Sequence, residues 1–157
     1  MKVDTQEEFA RSIALKALDG APRSRVQLEE ILEKKGVPPE AVQHVLDRFE
    51  AVGLVDDQAL ADMLVRTRHS ERGLVGPALA AELRRKGIPP PVAAAALEQV
   101  TSEDQLAAAE RLAAKKLAAT QGLPEATRLR RTVALLARKG YPAGLAFETT
   151  KRLLEAQ

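Results

Sequence analysis

Apolar residues recur along the chain at spacings of three and four, which is the period of an amphipathic α-helix. Leu28, Ile31 and Leu32 share one helical face, and Val45 and Phe49 share the face of the next segment. Alanine and leucine, which favour helices, supply most of the apolar positions. The pattern therefore predicts an all-α protein.

One short phrase, a lysine and a glycine followed by an apolar residue and a proline, occurs three times in the chain. The three copies are Lys35–Pro38, Lys86–Pro89 and Lys139–Pro142. Each is preceded by a leucine four residues before its glycine and followed by an apolar residue thirteen after it, which gives Leu32, Leu83 and Leu136, then Phe49, Val100 and Leu153. A repeating period of about fifty residues indicates stacked helical modules.

Each phrase combines the stop of one helix with the start of another. The glycine can adopt the left-handed conformation at the helix end, the lysine suits the negative end of the helix dipole, and proline favours a first helical turn. Two other helix starts show the pattern of a capping box, one formed by Ser24 with Gln27 and one by Ser102 with Gln105.

These stops and starts predict three helices in each of three repeats. The predicted helices are 6–18, 24–35 and 38–52, then 57–70, 77–86 and 90–100, then 103–120, 125–139 and 143–156. The repeats span 1–53, 54–102 and 103–157. About fifty residues give a marginal core, so we expect an elongated, curved array of three tandem three-helix, helix-turn-helix-like repeats.

The formal charge of +2 hardly selects a partner, but its distribution is uneven. The third repeat carries ten basic and six acidic residues, whereas the first carries eight basic and ten acidic ones. Cysteine is absent, and the acidic opening of the chain lacks the apolar run of a signal peptide. We therefore expect a cytoplasmic protein with no membrane span and an extended surface for an acidic partner.

Catalytic chemistry finds few candidate residues. His44 and His69 are the two histidines, and a structural role is expected for the first and a solvated helix-end role for the second. The acidic pair Asp56 and Asp57 follows a glycine and is explained by helix capping. We accordingly predict no enzyme activity, no catalytic residue, no cofactor and no metal site.

Basic residues are the remaining candidates for function. Arginines at helix ends can simply stabilise the helix dipole, but Arg128, Arg130 and Arg131 lie near the start of a predicted helix, where cations are disfavoured. The full set of predicted partner-binding residues is Arg66, Arg68, Arg72, Arg84, Arg85, Arg128, Arg130 and Arg131.

The middle of the chain resembles the RecX recombination regulators. The resemblance is carried by Gly53–Asp57, by Gly76-Pro77 and by Lys86–Ile88, and it is extended by Arg23-Ser24 in the first repeat and Arg138–Tyr141 in the third. It covers nearly the whole chain and implies three tandem three-helix units.

The resemblance also implies a partner and an activity. RecX proteins bind the RecA filament on single-stranded DNA and inhibit its ATPase, strand exchange and co-protease activity. A monomer with weak, non-specific DNA contact is the corresponding expectation. The alternative is a duplex-DNA reader of the helix-turn-helix type, which the modest net charge and the spread of basic residues disfavour.

Overall fold

A computed structural model gives the arrangement of residues 3–157, with side-chain environments from Thr5 onward. Met1 and Lys2, which belong to the opening used in the signal-peptide argument, lie outside the described residues. Within residues 3–157 the secondary structure consists of nine α-helices and no strand, which confirms the all-α prediction. In chain order they are α1 (Val3–Gly20), α2 (Arg25–Lys34), α3 (Pro39–Ala51), α4 (Asp57–Arg72), α5 (Gly76–Arg85), α6 (Pro90–Leu97), α7 (Ser102–Ala119), α8 (Glu125–Arg138) and α9 (Ala143–Glu155).

Most predicted boundaries agree with the structure to within one or two residues, and the largest differences are at α1 and α6. Helix α1 begins at Val3, where the sequence predicted residue 6. Helix α6 ends at Leu97, where it predicted residue 100, because the amides of Gln99 and Val100 bond to carbonyls only three residues back. This tighter turn ends the helix before α7 begins.

The three lysine–glycine turns have the geometry that the sequence predicts. Gly36, Gly87 and Gly140 have φ angles of 80°, 80° and 103°, in the left-handed region where glycine is favoured. In the first copy the amide of Val37 donates to the carbonyl of Leu32 at 3.1 Å and the amide of Gly36 to that of Glu33 at 3.0 Å. The same two bonds close the other copies, so all three are Schellman motifs.

The repeated leucines anchor these turns in apolar surroundings. Leu32, Leu83 and Leu136 are each fully buried, and the apolar residue after each glycine is also buried. Since both ends of the Schellman hydrogen bond carry a buried apolar side chain, the turn joins helix termination to core formation. Removing either apolar group would therefore affect both.

Two compact units make up the chain. The first ends at Met63 and also includes Leu83–Ala93, and the second comprises Leu64–Glu82 with Ala94–Gln157. Residues of the middle repeat thus belong to both units. The repeat boundaries at residues 53 and 102 describe the recurrence of sequence and stay a prediction.

Each unit has its own core. In the first, α1, α2 and α3 pack together through fully buried side chains that include Ala14, Leu28 and Leu46. In the second, α7, α8 and α9 pack together through small residues such as Ala109 and Ala113. Alanine at these positions lets the helix backbones approach closely, which explains why so alanine-rich a segment as α7 is a core helix.

One capping box is confirmed and the other is displaced. Ser24 accepts a hydrogen bond from the amide of Gln27, whose side chain accepts from the Ser24 amide. The box predicted at Ser102 and Gln105 is wrong, because Thr101 and Asp104 form it one residue earlier. The backbone amide and hydroxyl of Thr101 hydrogen-bond with Asp104 and lower the pKa of that carboxyl. Thr101 and Ser102 are adjacent hydroxyl residues, and the first of them forms the cap.

Thr132 in α8 is fully buried, and its hydroxyl has no hydrogen-bond partner among the residues that the structure describes. A buried hydroxyl without a partner loses its hydrogen bonds to water and gains none in the protein. We therefore expect Thr132→Val to raise the free energy of unfolding by about 1 kcal/mol in urea denaturation. Thr150→Val is the matched control, since the Thr150 hydroxyl donates to the carbonyl of Ala146 at 2.8 Å. Equal effects of the two substitutions would contradict this account.

Candidate functional site

The eight predicted arginines fall into two groups by their intramolecular contacts. Four are exposed and make no ion pair within the described residues, namely Arg66, Arg84, Arg130 and Arg131. The other four, Arg68, Arg72, Arg85 and Arg128, have partners inside the chain. Arg84 and Arg85 belong to the first unit and the remaining six to the second.

Arg68 and Arg72 converge on one carboxylate. The Arg68 Nε lies 2.9 Å from Oε1 of Glu82, and an Arg72 amino nitrogen lies 3.6 Å from the same oxygen. Glu82 is mostly buried, and Arg68 is the less exposed of the two arginines. Arg68 therefore links α4 to α5 inside the second unit, while about half of the Arg72 side chain remains available to solvent.

Arg128 has a structural role that the sequence argument missed. Its amino group donates to the carbonyl of Leu117 at 2.9 Å and to the side chain of Gln157 at 3.0 Å. It therefore caps the C-terminal end of α7, where a cation is favoured. Arg128 lies at the start of α8 but interacts with the dipole of α7, and partner binding by this residue stays a prediction.

Arg128 has counterparts at the equivalent positions of the other two repeats. Ser24, Val75 and Arg128 each lie eight residues before a repeated leucine, so they occupy equivalent positions in the three repeats. Ser24 and Val75 contact the lysine–glycine turn of the repeat that follows them, as described next. Arg128, at the equivalent position in the third repeat, instead folds back on its own repeat and caps α7.

The first of these contacts, here called the first repeat contact, lies in the first unit. The hydroxyl of Ser24 donates to the carbonyl of Lys86. A Cβ atom on Gly87 would lie 2.9 Å from both Ser24 Oγ and Val26 Cβ. Glycine is therefore required here by space as well as by its backbone angle.

The second repeat contact lies in the second unit and joins the α4–α5 link to the α8–α9 turn. The amide of Val75 donates to the carbonyl of Lys139 at 2.9 Å, and the hydroxyl of Tyr141 donates to the carbonyl of Gly73 at 2.7 Å. Lys139 adds a third bond from Nζ to the carbonyl of Arg72 at 2.7 Å. The last two bonds satisfy the carbonyls at and just after the end of α4, and the first satisfies the carbonyl just after the end of α8.

Several cations gather beside the second repeat contact. Burial, followed by the positive charges of Arg72, Arg138 and Lys115, lowers the pKa of Lys139. Lys115 lies one helical turn after Leu112, whose side chain covers Gly73. The position of Lys115 relative to Arg138 and Lys139 depends on how α7 packs and cannot be read from the sequence.

The histidines and the acidic pair have ordinary structural environments. His44 is a surface residue with Nε2 3.5 Å from a carboxylate oxygen of Glu7, so the valines beside it in sequence do not enclose it. His69 is half-buried rather than solvated, with Nδ1 3.1 Å from the carbonyl of Leu74. A carbonyl can only accept, so this nitrogen carries the proton.

Asp56 caps α4 by accepting from the amide of Ala59 at 3.0 Å, as predicted. Asp57 instead accepts from the amide of Arg25 at 3.0 Å and so satisfies the start of α2. Burial, the largest cause, raises the pKa of Asp57.

Among the described residues, no group of three or more histidines and acids is placed to hold a metal ion. No helix in the described part of the chain is long and apolar enough to span a membrane.

Comparisons with known proteins agree with this repeat architecture. Family models for the first, second and third three-helix domains of RecX match residues 10–49, 56–97 and 103–149, in that order. The chain belongs to the RecX family. It is 44% identical over 148 residues to the regulatory protein RecX of Thermobifida fusca (strain YX), covering 94% of this chain and 80% of that relative. It is 46% identical over 150 residues to that of Streptomyces coelicolor (strain ATCC BAA-471 / A3(2) / M145), covering 96% and 80%.

Solved structures of RecX proteins have the same fold. The crystal structure of RecX from Lactobacillus salivarius superposes with a TM-score of 0.88 over 98% of this chain and 99% of that chain, at 19% identity. A second crystal structure, of a regulatory protein RecX, gives a TM-score of 0.81 over 94% of this chain and 73% of that chain, at 30% identity. The three tandem three-helix domains predicted from the repeated phrase are therefore confirmed.

The second repeat contact predicts unequal effects of the same substitution at two glycines. A Cβ on Gly140 would overlap the carbonyl of Val75, whereas a Cβ on Gly36 would meet open space. We expect Gly36→Ala to cost about 1–2 kcal/mol for the left-handed backbone alone. Gly140→Ala should cost at least about 2 kcal/mol more, because the backbones must separate. Urea denaturation of both variants measures the difference, and equal losses would contradict the contact.

Tyr141 is the only tyrosine in the chain, so tyrosinate absorbance reports on it alone. Burial raises its pKa to about 12, whereas an unfolded chain has a tyrosine pKa of about 10. The folded state holds the phenolic proton to higher pH, so this contribution to stability is complete below about pH 10 and declines between about pH 10 and 12. A titration midpoint near 10 in the folded protein would contradict the burial, and Tyr141→Phe should lack this decline.

Proposed function

We propose that this RecX-family protein binds the RecA filament formed on single-stranded DNA and inhibits RecA ATPase, strand exchange and co-protease activity. The observation that carries the proposal is the match of all three RecX domains in their order along the chain. The relatives are named regulatory proteins, in keeping with a role without catalysis or cofactor. The proposed setting is the cytoplasm, with the protein acting as a monomer.

The repeat architecture suggests how such inhibition works. Three similar modules can contact successive subunits of a polymer, so that modest affinity at each module adds to firm binding overall. Binding that favours a filament state with slow ATP turnover would then inhibit RecA without any chemistry on this chain. Weak, non-specific contact with the DNA of the filament is compatible with this arrangement.

The exposed arginines without intramolecular partners are the best candidates for the contacts. Arg130 and Arg131 lie in α8, and Arg66 lies in α4, all with their side chains in solvent. Their charge would attract carboxylates of RecA or phosphates of its DNA. Arg68 and Arg128 are the weaker candidates, because binding a partner through them would break the contacts with Glu82 and Leu117.

RecA ATPase on single-stranded DNA tests the function directly. Titration of the protein well below one copy per RecA should inhibit ATP hydrolysis, because one molecule affects several subunits. Arg130→Glu with Arg131→Glu should raise the concentration needed for half-inhibition by about tenfold, equivalent to about 1.4 kcal/mol of binding. Helical content should not change, since both side chains are exposed.

The matched control is Lys16→Glu with Lys34→Glu, which reverses two exposed lysines of the first unit and changes the net charge equally. We expect it to inhibit like the wild type. Unaltered inhibition by the arginine variant would exclude α8 as a contact surface. Absence of inhibition by the wild type, together with sequence-specific duplex binding that falls steeply with salt, would favour the DNA-reader alternative.

A further inference from the structure

An open groove of about 610 Å³ lies in the second unit, beside the second repeat contact. Its lining is mainly apolar and comes from Pro77 and Ala78 at the start of α5, Ala137 at the end of α8, and Tyr141 and Pro142 of the α8–α9 turn. Arg138 contributes the one charged side chain of the lining. The groove is therefore an apolar surface with a cation at its edge.

Further cations surround this edge. Lys139 follows Arg138, and its Nζ donates to the backbone carbonyl of Arg72, so the Lys139 ammonium group lies at the end of α4. Lys115 lies one helical turn after Leu112, whose side chain covers Gly73, and so belongs to the part of α7 next to the end of α4. In the part of the chain that the structure describes, Lys115, Arg138 and Lys139 form no salt bridge with a carboxylate. We call Arg72, Lys115, Arg138 and Lys139 the cation cluster.

In the first unit, a comparable cation is paired with carboxylates. Arg25, next to Ser24 of the first repeat contact, is held by the carboxylates of Glu29, Asp47 and Glu50. Its charge is thus compensated within the unit. The cation cluster has Glu82 near Arg72, but Glu82 lies closer to Arg68. The cluster therefore keeps a net positive charge, with Arg138 directly at the apolar groove, and this charge attracts an anionic group.

We infer that the groove and the cation cluster together form the docking site for a segment of the partner protein that places an apolar side chain next to carboxylates. The apolar side chain would cover Pro77, Ala137 and Pro142, and the carboxylates would meet Arg138 and Lys115. The inference rests on the proposed function and specifies the RecA surface that this part of the second unit contacts.

The lining favours a polypeptide over a nucleic-acid strand. Phosphates would use the cations but leave the apolar groove unoccupied. Stacked bases need exposed aromatic rings, and the aromatic residue of the groove, Tyr141, is 4% exposed and donates its hydroxyl to Gly73. A protein segment uses both features, since apolar contact supplies affinity and the cations supply orientation and long-range attraction.

The decisive variant is Lys115→Glu with Arg138→Glu, because both side chains are exposed and unpaired. Its control is again Lys16→Glu with Lys34→Glu, in which Lys34 holds the position in the first repeat that Arg138 holds in the third. Binding is measured by fluorescence anisotropy to a labelled oligo-dT strand, once coated with RecA and once bare, and ATPase inhibition is measured in parallel. We expect the cluster variant to lose about tenfold in affinity for the RecA-coated strand, with binding to the bare strand unchanged.

A second variant keeps every charge and blocks the groove. Ala137 is exposed and lines it, so Ala137→Phe should fill the space without disturbing the core. We expect a loss of about tenfold for the RecA-coated strand here as well, in keeping with a site that needs apolar contact. Circular dichroism of each variant establishes that the helices are retained.

The outcomes separate the inference from the function on which it rests. Full binding by the cluster variant and the groove variant, with inhibition by the wild type intact, would overturn the docking site alone. Equal losses by the cluster variant for coated and bare strands would assign the cluster to DNA phosphates and overturn the protein-segment inference. A wild type that neither binds the coated strand nor inhibits RecA would overturn both proposals.

Discussion

The left-handed glycine in each of the three lysine–glycine turns is the constraint on which the helix ends and the cores depend. Its backbone angle ends one helix, and its two Schellman hydrogen bonds hold the next residue beside a buried leucine. In the second and third repeats the absence of a Cβ also lets the turn approach a preceding segment, at Ser24 for Gly87 and at Val75 for Gly140. A single residue type thus determines helix length, core formation and the contact between successive repeats.

The repeat contacts also explain which cations are structural. Carbonyls at the end of α4 are satisfied by Lys139 and Tyr141 of the following repeat, whereas the end of α7 is satisfied by Arg128 of its own repeat. The same requirement of helix ends is met from two different sources. Arg128 therefore has a structural role within the third repeat that its position at the start of α8 does not reveal.

The arginines of this protein divide between those bound within the fold and those left at the surface. Three arginines hydrogen-bond to carboxylates or carbonyls inside their own units, namely Arg25, Arg68 and Arg128. Arg130, Arg131 and Arg138 have no such partners among the described residues and stay at the surface. Surface cations of this kind contribute little to stability, so Arg130 and Arg131 can engage a partner without weakening the fold.

The amino-acid sequence predicted the helices, the three left-handed turns, the buried leucines and the RecX family, because each depends on local backbone preference and on a repeat that can be read along the chain. It did not determine the shift of one capping box to Thr101 and Asp104, where two adjacent hydroxyls competed for the same role. The cap of Arg128 on α7 and the grouping of Lys115 and Lys139 near the end of α4 depend instead on how the helices pack. These contacts join residues up to 67 positions apart in sequence, as in the bond from Lys139 to Arg72. Contacts over such separations depend on how the helices pack and not on the neighbouring residues in the sequence.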